Sequence, residues 1–107
     1  MRRFGQTIRL KPEGASEYIK LHASVWPAVL RKIKECNISN YSIFCKDNLL
    51  FTYFEYTGCD YEQDMAKMAA DDITQKWWDV VKPLMDPLET RKDGEFWADM
   101  EELFYLE

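Results

Sequence analysis

From Phe4 to Leu10 apolar and polar side chains alternate. Ile8 and Leu10 share one face and Thr7 and Arg9 the other, as in a half-buried strand. Pro12-Glu13-Gly14 breaks that run. From Ala15 to about Cys36 the period changes: Tyr18, Leu21, Val25, Val29, Leu30 and Ile33 recur at helical spacing. Ser16 is a candidate N-cap. Pro27 is placed to bend or interrupt this helix one turn past His22, because it lacks a backbone N–H and its ring crowds the preceding turn. Asn37 to Asn40 read as a turn. Two β-rich runs follow, Tyr41–Cys45 and Leu49–Tyr56, separated only by Lys46-Asp47-Asn48, which predicts a hairpin. Tyr41, Ile43 and Cys45 share a face of the first run; Leu49, Phe51, Tyr53 and Glu55 share a face of the second. A helix is expected from about Asp60 to Ala70, burying Met65, Met68 and Ala69. Asp72-Ile73-Thr74-Gln75 has the form of a capping box. It restarts a helix through Trp77, Trp78 and Val81, which Pro83 and Pro87 end. Residues 86–98 read as a polar connector and Met100–Leu106 as a final strand.

The predicted order is β-α-β-β-α-β, an α+β chain of ferredoxin-like type. Such an antiparallel sheet carries helices on one face, and the bare face has to be covered. Both faces of the 49–56 run bear large apolar or aromatic groups. The expected solution is a homodimer in which two sheets meet face to face, with Phe104 and Leu106 contributing to the contact.

A length of 107 residues predicts a single domain, 1–107. The aromatic share of 15% is high for so small a core, which reserves some rings for a pocket or a subunit contact. The formal net charge of −5 without a cationic cluster argues against nucleic-acid partners and against anionic membranes. No segment has the run of about 18 apolar residues that a membrane helix needs, and the basic N-terminus lacks the apolar stretch of a secretory signal. Cys36, Cys45 and Cys59 are widely spaced and form no C-x-x-C pair, so no metal site is expected. The expectation is a cytoplasmic protein with reduced thiols.

The chemistry centres on His22, the chain's only histidine. Tyr18, His22 and Trp26 follow one another at intervals of four residues, and on one helix they stack along one face. Imidazole, with an ordinary pKa of about 6.5, gives and takes protons at neutral pH. The plain alternative is a helix-face histidine bonded to solvent or to a carboxylate. Trp26 suits a core role equally well. The adjacent Trp77 and Trp78 point about 100° apart on a helix, so one can fill the core while the other faces a cleft. An indole face suits the C–H face of a sugar ring. Tyr41 opens its strand and is placed to reach the same cavity. The chain contains no glycine-rich phosphate loop, no G-x-S-x-G and no E-x-x-H pair. The scattered carboxylates read as solvated groups or caps.

Tyr18-x-x-x-His22 followed by Val25-Trp26-Pro27, then Asn40-Tyr41-Ser42-Ile43, Gln75-Lys76-Trp77-Trp78 and Leu103-Phe104-Tyr105-Leu106, resembles the L-rhamnose mutarotase family in order and over nearly the whole chain. The resemblance implies a dimeric α+β barrel that interconverts the α and β anomers of L-rhamnose, or of a close 6-deoxyhexose, without a cofactor. It implies that His22 is the proton donor and that Tyr18, Tyr41, Trp77 and Trp78 bind the sugar. Two other readings share the architecture: a cofactor-free monooxygenase and a non-catalytic sugar-binding dimer.

Overall fold

The computed structural model describes residues 1–107. Its strands are β1 (Arg2–Leu10), β2 (Ile38–Lys46), β3 (Leu49–Tyr56), β4 (Met85–Asp86) and β5 (Ala98–Met100). The helices are α1 (Ala15–His22), α2 (Pro27–Glu35), α3 (Tyr61–Ala69) and α4 (Asp72–Val81), with short 3-10 turns at Pro12–Gly14 and Lys82–Leu84. The sheet runs β2-β3-β1-β4, β5 also pairs with β1, and every pairing is antiparallel. This curled sheet with helices on one face is the expected α+β arrangement, a half-barrel.

Register decides which side chains face the helices. The pairs Ile8–Leu50, Gln6–Thr52 and Phe4–Phe54 fall on the inner face. Ile8, Leu10 and Leu50 there join Tyr18, Val29, Trp77, Val81 and Met85 in the main core. A smaller cluster of Ile38, Phe54 and Tyr56 lies under α3, flanked by Met65 and Met68. The outer face carries Phe44, Leu49 and Phe51, all exposed. No helix is long and apolar enough to cross a membrane.

The long 15–36 helix is two helices. α1 ends at His22 and Pro27 is the first residue of α2. Proline is at home there because the first helical N–H has no intrahelical acceptor, and it forces Trp26 into an extended conformation (φ −57°, ψ 130°). Ser16 does not cap α1; the cap position is Gly14. In α4 the cap is Asp71 rather than Asp72: its Oδ2 accepts from the Thr74 N–H at 3.0 Å and from the Thr74 hydroxyl at 2.8 Å.

Asn37 to Asn40 is not one turn. Strand β2 already begins at Ile38, and left-handed residues mark two separate irregularities, Asn37 (φ 66°) after α2 and Asn40 (φ 49°) at a bulge between Ser39 and Ser42. Asparagine tolerates this region better than most residues. The hairpin closes through Asp47 (φ 51°) and Asn48 (φ 61°), the two positive φ values of a tight primed turn. In α3, Met65 and Met68 are half-buried, but Ala69 is exposed and Asp64 is buried instead. The last strand is only Ala98–Met100, paired with Gly5–Thr7. Residues 101–107 form no strand. Arg3 instead holds them, donating to both Glu102 oxygens at 2.9 and 3.0 Å and lying 3.4 Å over the Tyr105 ring.

Candidate active site

A cavity of about 280 Å³ opens between the inner sheet face and the helices, and Tyr18, His22, Tyr41, Trp77 and Trp78 all line it. The five sequence candidates thus come together from α1, β2 and α4. A second cleft of about 560 Å³ continues from His22, Tyr41 and Trp77 toward Lys34, Ser39 and Asn40 at the surface. The inner cavity falls just below the ~300–1,000 Å³ of pockets for drug-sized ligands, a size that suits a monosaccharide.

His22 is half-buried at the last turn of α1. Its ring stacks on Tyr18 (centroids 4.0 Å, planes 24° apart) and meets the edge of Trp77 (5.3 Å, 64°). Nδ1–H donates to the Tyr18 carbonyl oxygen at 2.9 Å. A carbonyl oxygen has no proton to give, so Nδ1 carries the hydrogen. Nε2 therefore holds the lone pair of the neutral ring. Burial lowers the His22 pKa below its ordinary value, and the bond to the Tyr18 carbonyl opposes this only in part. The resting imidazole is accordingly neutral at pH 7.

Tyr18 is buried in the main core, and burial raises its phenol pKa, so it stays protonated. Tyr41 is 44% exposed as a residue, yet burial around its hydroxyl raises that pKa too. The bulge at Asn40 precedes it; such irregularities bend a strand and re-aim side chains. Trp77 and Trp78 divide as their angular separation requires. Trp77 is buried, and Trp78 is half-buried with the Lys82 ammonium 4.5 Å over its ring. Trp26 does not continue the α1 face, because α1 stops at His22. It reaches the same neighbourhood from the α2 cap position and packs edge-on against Trp77 at 5.1 Å, a core role.

Sequence reasoning missed four contributors. Gln6 rises from the middle of β1, Lys82 follows α4, and Phe96 and Trp97 come from the segment read as a polar connector. Two consecutive aromatic residues in an otherwise polar stretch were the available signal for the last pair. No three His, Cys, Asp or Glu side chains converge where they could hold a metal ion.

A curled antiparallel half-barrel with one imidazole in an aromatic cavity defines a subunit of the dimeric α+β barrel class. The family profile of L-rhamnose mutarotase matches residues 3–106. The L-rhamnose mutarotase of Oceanobacillus iheyensis is 34% identical over 109 residues, and that of Lactiplantibacillus plantarum is 35% identical over 108, each match covering 100% of both chains. The crystal structure of L-rhamnose mutarotase from Formosa agariphila superposes with a TM-score of 0.76 at 25% identity, covering 100% of both chains. Tetracenomycin F2 cyclase from Streptomyces glaucescens shares the fold alone, with a TM-score of 0.73 at 14% identity over 100% of this chain and 98% of that one. The chain belongs to the L-rhamnose mutarotase family.

Proposed function

We propose that the inner cavity is where the α and β anomers of L-rhamnose are exchanged, with His22 as proton donor to the ring oxygen. One observation carries this reading. In a chain of this family, the lone histidine has one nitrogen tied to the Tyr18 carbonyl and the other free in an aromatic cavity. Tyr18 and Tyr41 supply hydroxyls to the sugar, and Trp78 forms the wall against its C–H face, with Trp77 beside His22 in the same lining.

The lone pair on Nε2 sets the order of events. The neutral ring first accepts the proton of the C1 hydroxyl and becomes imidazolium. It then gives that proton to the ring oxygen as the C1–O bond breaks and the C1 carbonyl forms. Both oxygens sit on the same carbon, so one nitrogen can serve both. The aldehyde turns about its C1–C2 bond, and the same transfers in reverse close the ring from the other face. Protons and electrons balance without a redox partner. Burial, by lowering the pKa, makes the imidazolium a willing donor.

The working form is proposed to be a homodimer joined through the outer sheet face, where Phe44, Leu49 and Phe51 are exposed; Leu103, Phe104 and Leu106 of the tail are exposed as well. A cytoplasmic setting fits three cysteines that are all free.

Exchange NMR on equilibrated L-rhamnose tests the assignment. The protein should speed transfer between the two anomer signals, and His22→Ala should remove roughly 10²- to 10⁴-fold of the rate, the usual worth of a positioned acid–base group. A wild-type protein that binds the sugar but leaves exchange at the uncatalysed rate would support the binding-only reading. Oxygen consumption with a flat aromatic substrate would support the monooxygenase reading.

A further inference from the structure

The cavity is mostly apolar and aromatic, while a pyranose presents a ring of hydroxyls that need partners. The Thr74 hydroxyl is already engaged, donating to Asp71 at 2.8 Å, and the Lys82 ammonium, over Trp78 and Phe96 at 4.5 and 5.0 Å, can only donate. Gln6 differs. It occupies the inner face of the central strand, in one row with Ile43, Thr52 and Asp99, and lines the floor opposite the helices. Its Nε2–H donates to Asp99 Oδ1 at 2.6 Å. A carboxylate only accepts, so this bond settles which end of the amide is nitrogen. Oε1 and the second N–H make no other bond within the protein.

We propose that Gln6, anchored by Asp99, is a specificity-determining residue that reads a hydroxyl of the bound pyranose from the sheet side. The acceptor Oε1 and the spare N–H together match a hydroxyl, which both donates and accepts. The inference rests on the functional reading above and adds to it a contact made by neither the helices nor the aromatic wall. Asp99 is a positioning residue: it fixes the amide's orientation without reaching the sugar.

The test is exchange NMR with L-rhamnose and its monodeoxy analogues, on wild type and on Gln6→Met, which keeps the side-chain length and removes its polarity. The expected result is a KM for L-rhamnose raised roughly three- to tenfold, as for loss of one neutral hydrogen bond, with kcat within about twofold. One deoxy analogue should raise the wild-type KM by a similar factor and leave Gln6→Met indifferent. A purely structural role for Gln6 would weaken every analogue alike, and that pattern overturns the proposal. If Gln6→Met does not fold, Gln6→Asn keeps the amide, withdraws it by one methylene and should show the same analogue-specific loss. A wild type that does not accelerate exchange brings down the functional reading itself. A wild type that does, beside a Gln6→Met protein identical to it for every sugar, brings down this inference alone.

Discussion

Tyr18 and His22 are joined twice: the backbone carbonyl of Tyr18 accepts from His22 Nδ1–H at 2.9 Å, and the phenol ring of Tyr18 lies flat against the imidazole at 4.0 Å. The first contact fixes which nitrogen carries the hydrogen and leaves the lone pair on Nε2. The second removes water from one side of the ring, which is why burial outweighs the carbonyl in setting the pKa.

A definite pH profile follows from that pair. The pKa of His22 lies below its ordinary 6.5, so the neutral form dominates above that value. If neutral Nε2 takes the first proton, kcat/KM is flat from pH 7 upward and falls about tenfold per pH unit once the pH drops below the lowered pKa. A rate that rises on acidification through this range would mean that the imidazolium, not the neutral ring, meets the sugar. Initial rates of anomer exchange between about pH 4.5 and 8, corrected for the uncatalysed reaction, distinguish the two.

The adjacent tryptophans should separate by experiment. Trp77 belongs to the main core and touches both His22 and Trp26, so Trp77→Ala should cost about 3–5 kcal/mol of stability. Trp78 is half-buried against the cavity, under Lys82. Trp78→Leu should leave the folded state largely intact and raise KM for the sugar several-fold. Urea unfolding and exchange kinetics on the two variants check the division; equal loss of stability in both would place Trp78 in the core as well.

Much of this was legible in the chain because it is local. The period-two run ending at Leu10, the hairpin around Asp47-Asn48 and the stops at Pro27 and Pro83 are written in neighbouring residues. The alignment of Tyr18 with His22 needs only one helical turn. What was not legible depends on partners distant in sequence. Gln6 looks like an ordinary strand residue until Asp99, 93 positions away, pairs with it. The segment Leu103–Leu106 has the composition of a strand, yet the chain offers it no strand to pair with, so Arg3 holds it through Glu102 and Tyr105 instead. Asp71 and Asp72 both precede the helix as possible caps, and only the bond to Thr74 separates them.

Away from the cavity, Asp64 is buried at the start of α3 and ties three segments together. It accepts from the Tyr56 hydroxyl at 2.5 Å and from Asn37 Nδ2 at 2.9 Å, with Lys67 at 3.6 Å. These bonds to the charged form, Tyr56 and Asn37 first, hold its pKa below the ordinary value. Burial, helped by the bond to Asp64, pushes the Tyr56 phenol up to about 12. A carboxylate whose folded pKa is depressed contributes stability in full above its unfolded pKa of about 3.9, and loses it as pH falls through the folded value. Asp64→Asn should therefore lower Tm at pH 7 and flatten the fall of Tm on acidification below about pH 4. An acid limb as steep as that of the wild type would show that other carboxylates control it.

The outer sheet face makes the last prediction. Phe44 and Phe51 face each other across β2 and β3 with ring centroids 6.3 Å apart, and they are 61% and 39% exposed. Met100, on the same face of β5, is 51% exposed. A run of large apolar side chains open to water across an antiparallel sheet marks a surface meant for burial. A second copy of the chain offers the same patch to it. Phe44→Glu puts a charge into that patch without touching the cavity, whose lining lies on the opposite face. Light scattering coupled to size exclusion should show a dimer for the wild type and a monomer for Phe44→Glu. A wild type that is monomeric at tens of micromolar, or a variant that remains dimeric, would locate the contact elsewhere or remove it. The activity of the monomeric variant then shows whether each cavity is complete within one chain.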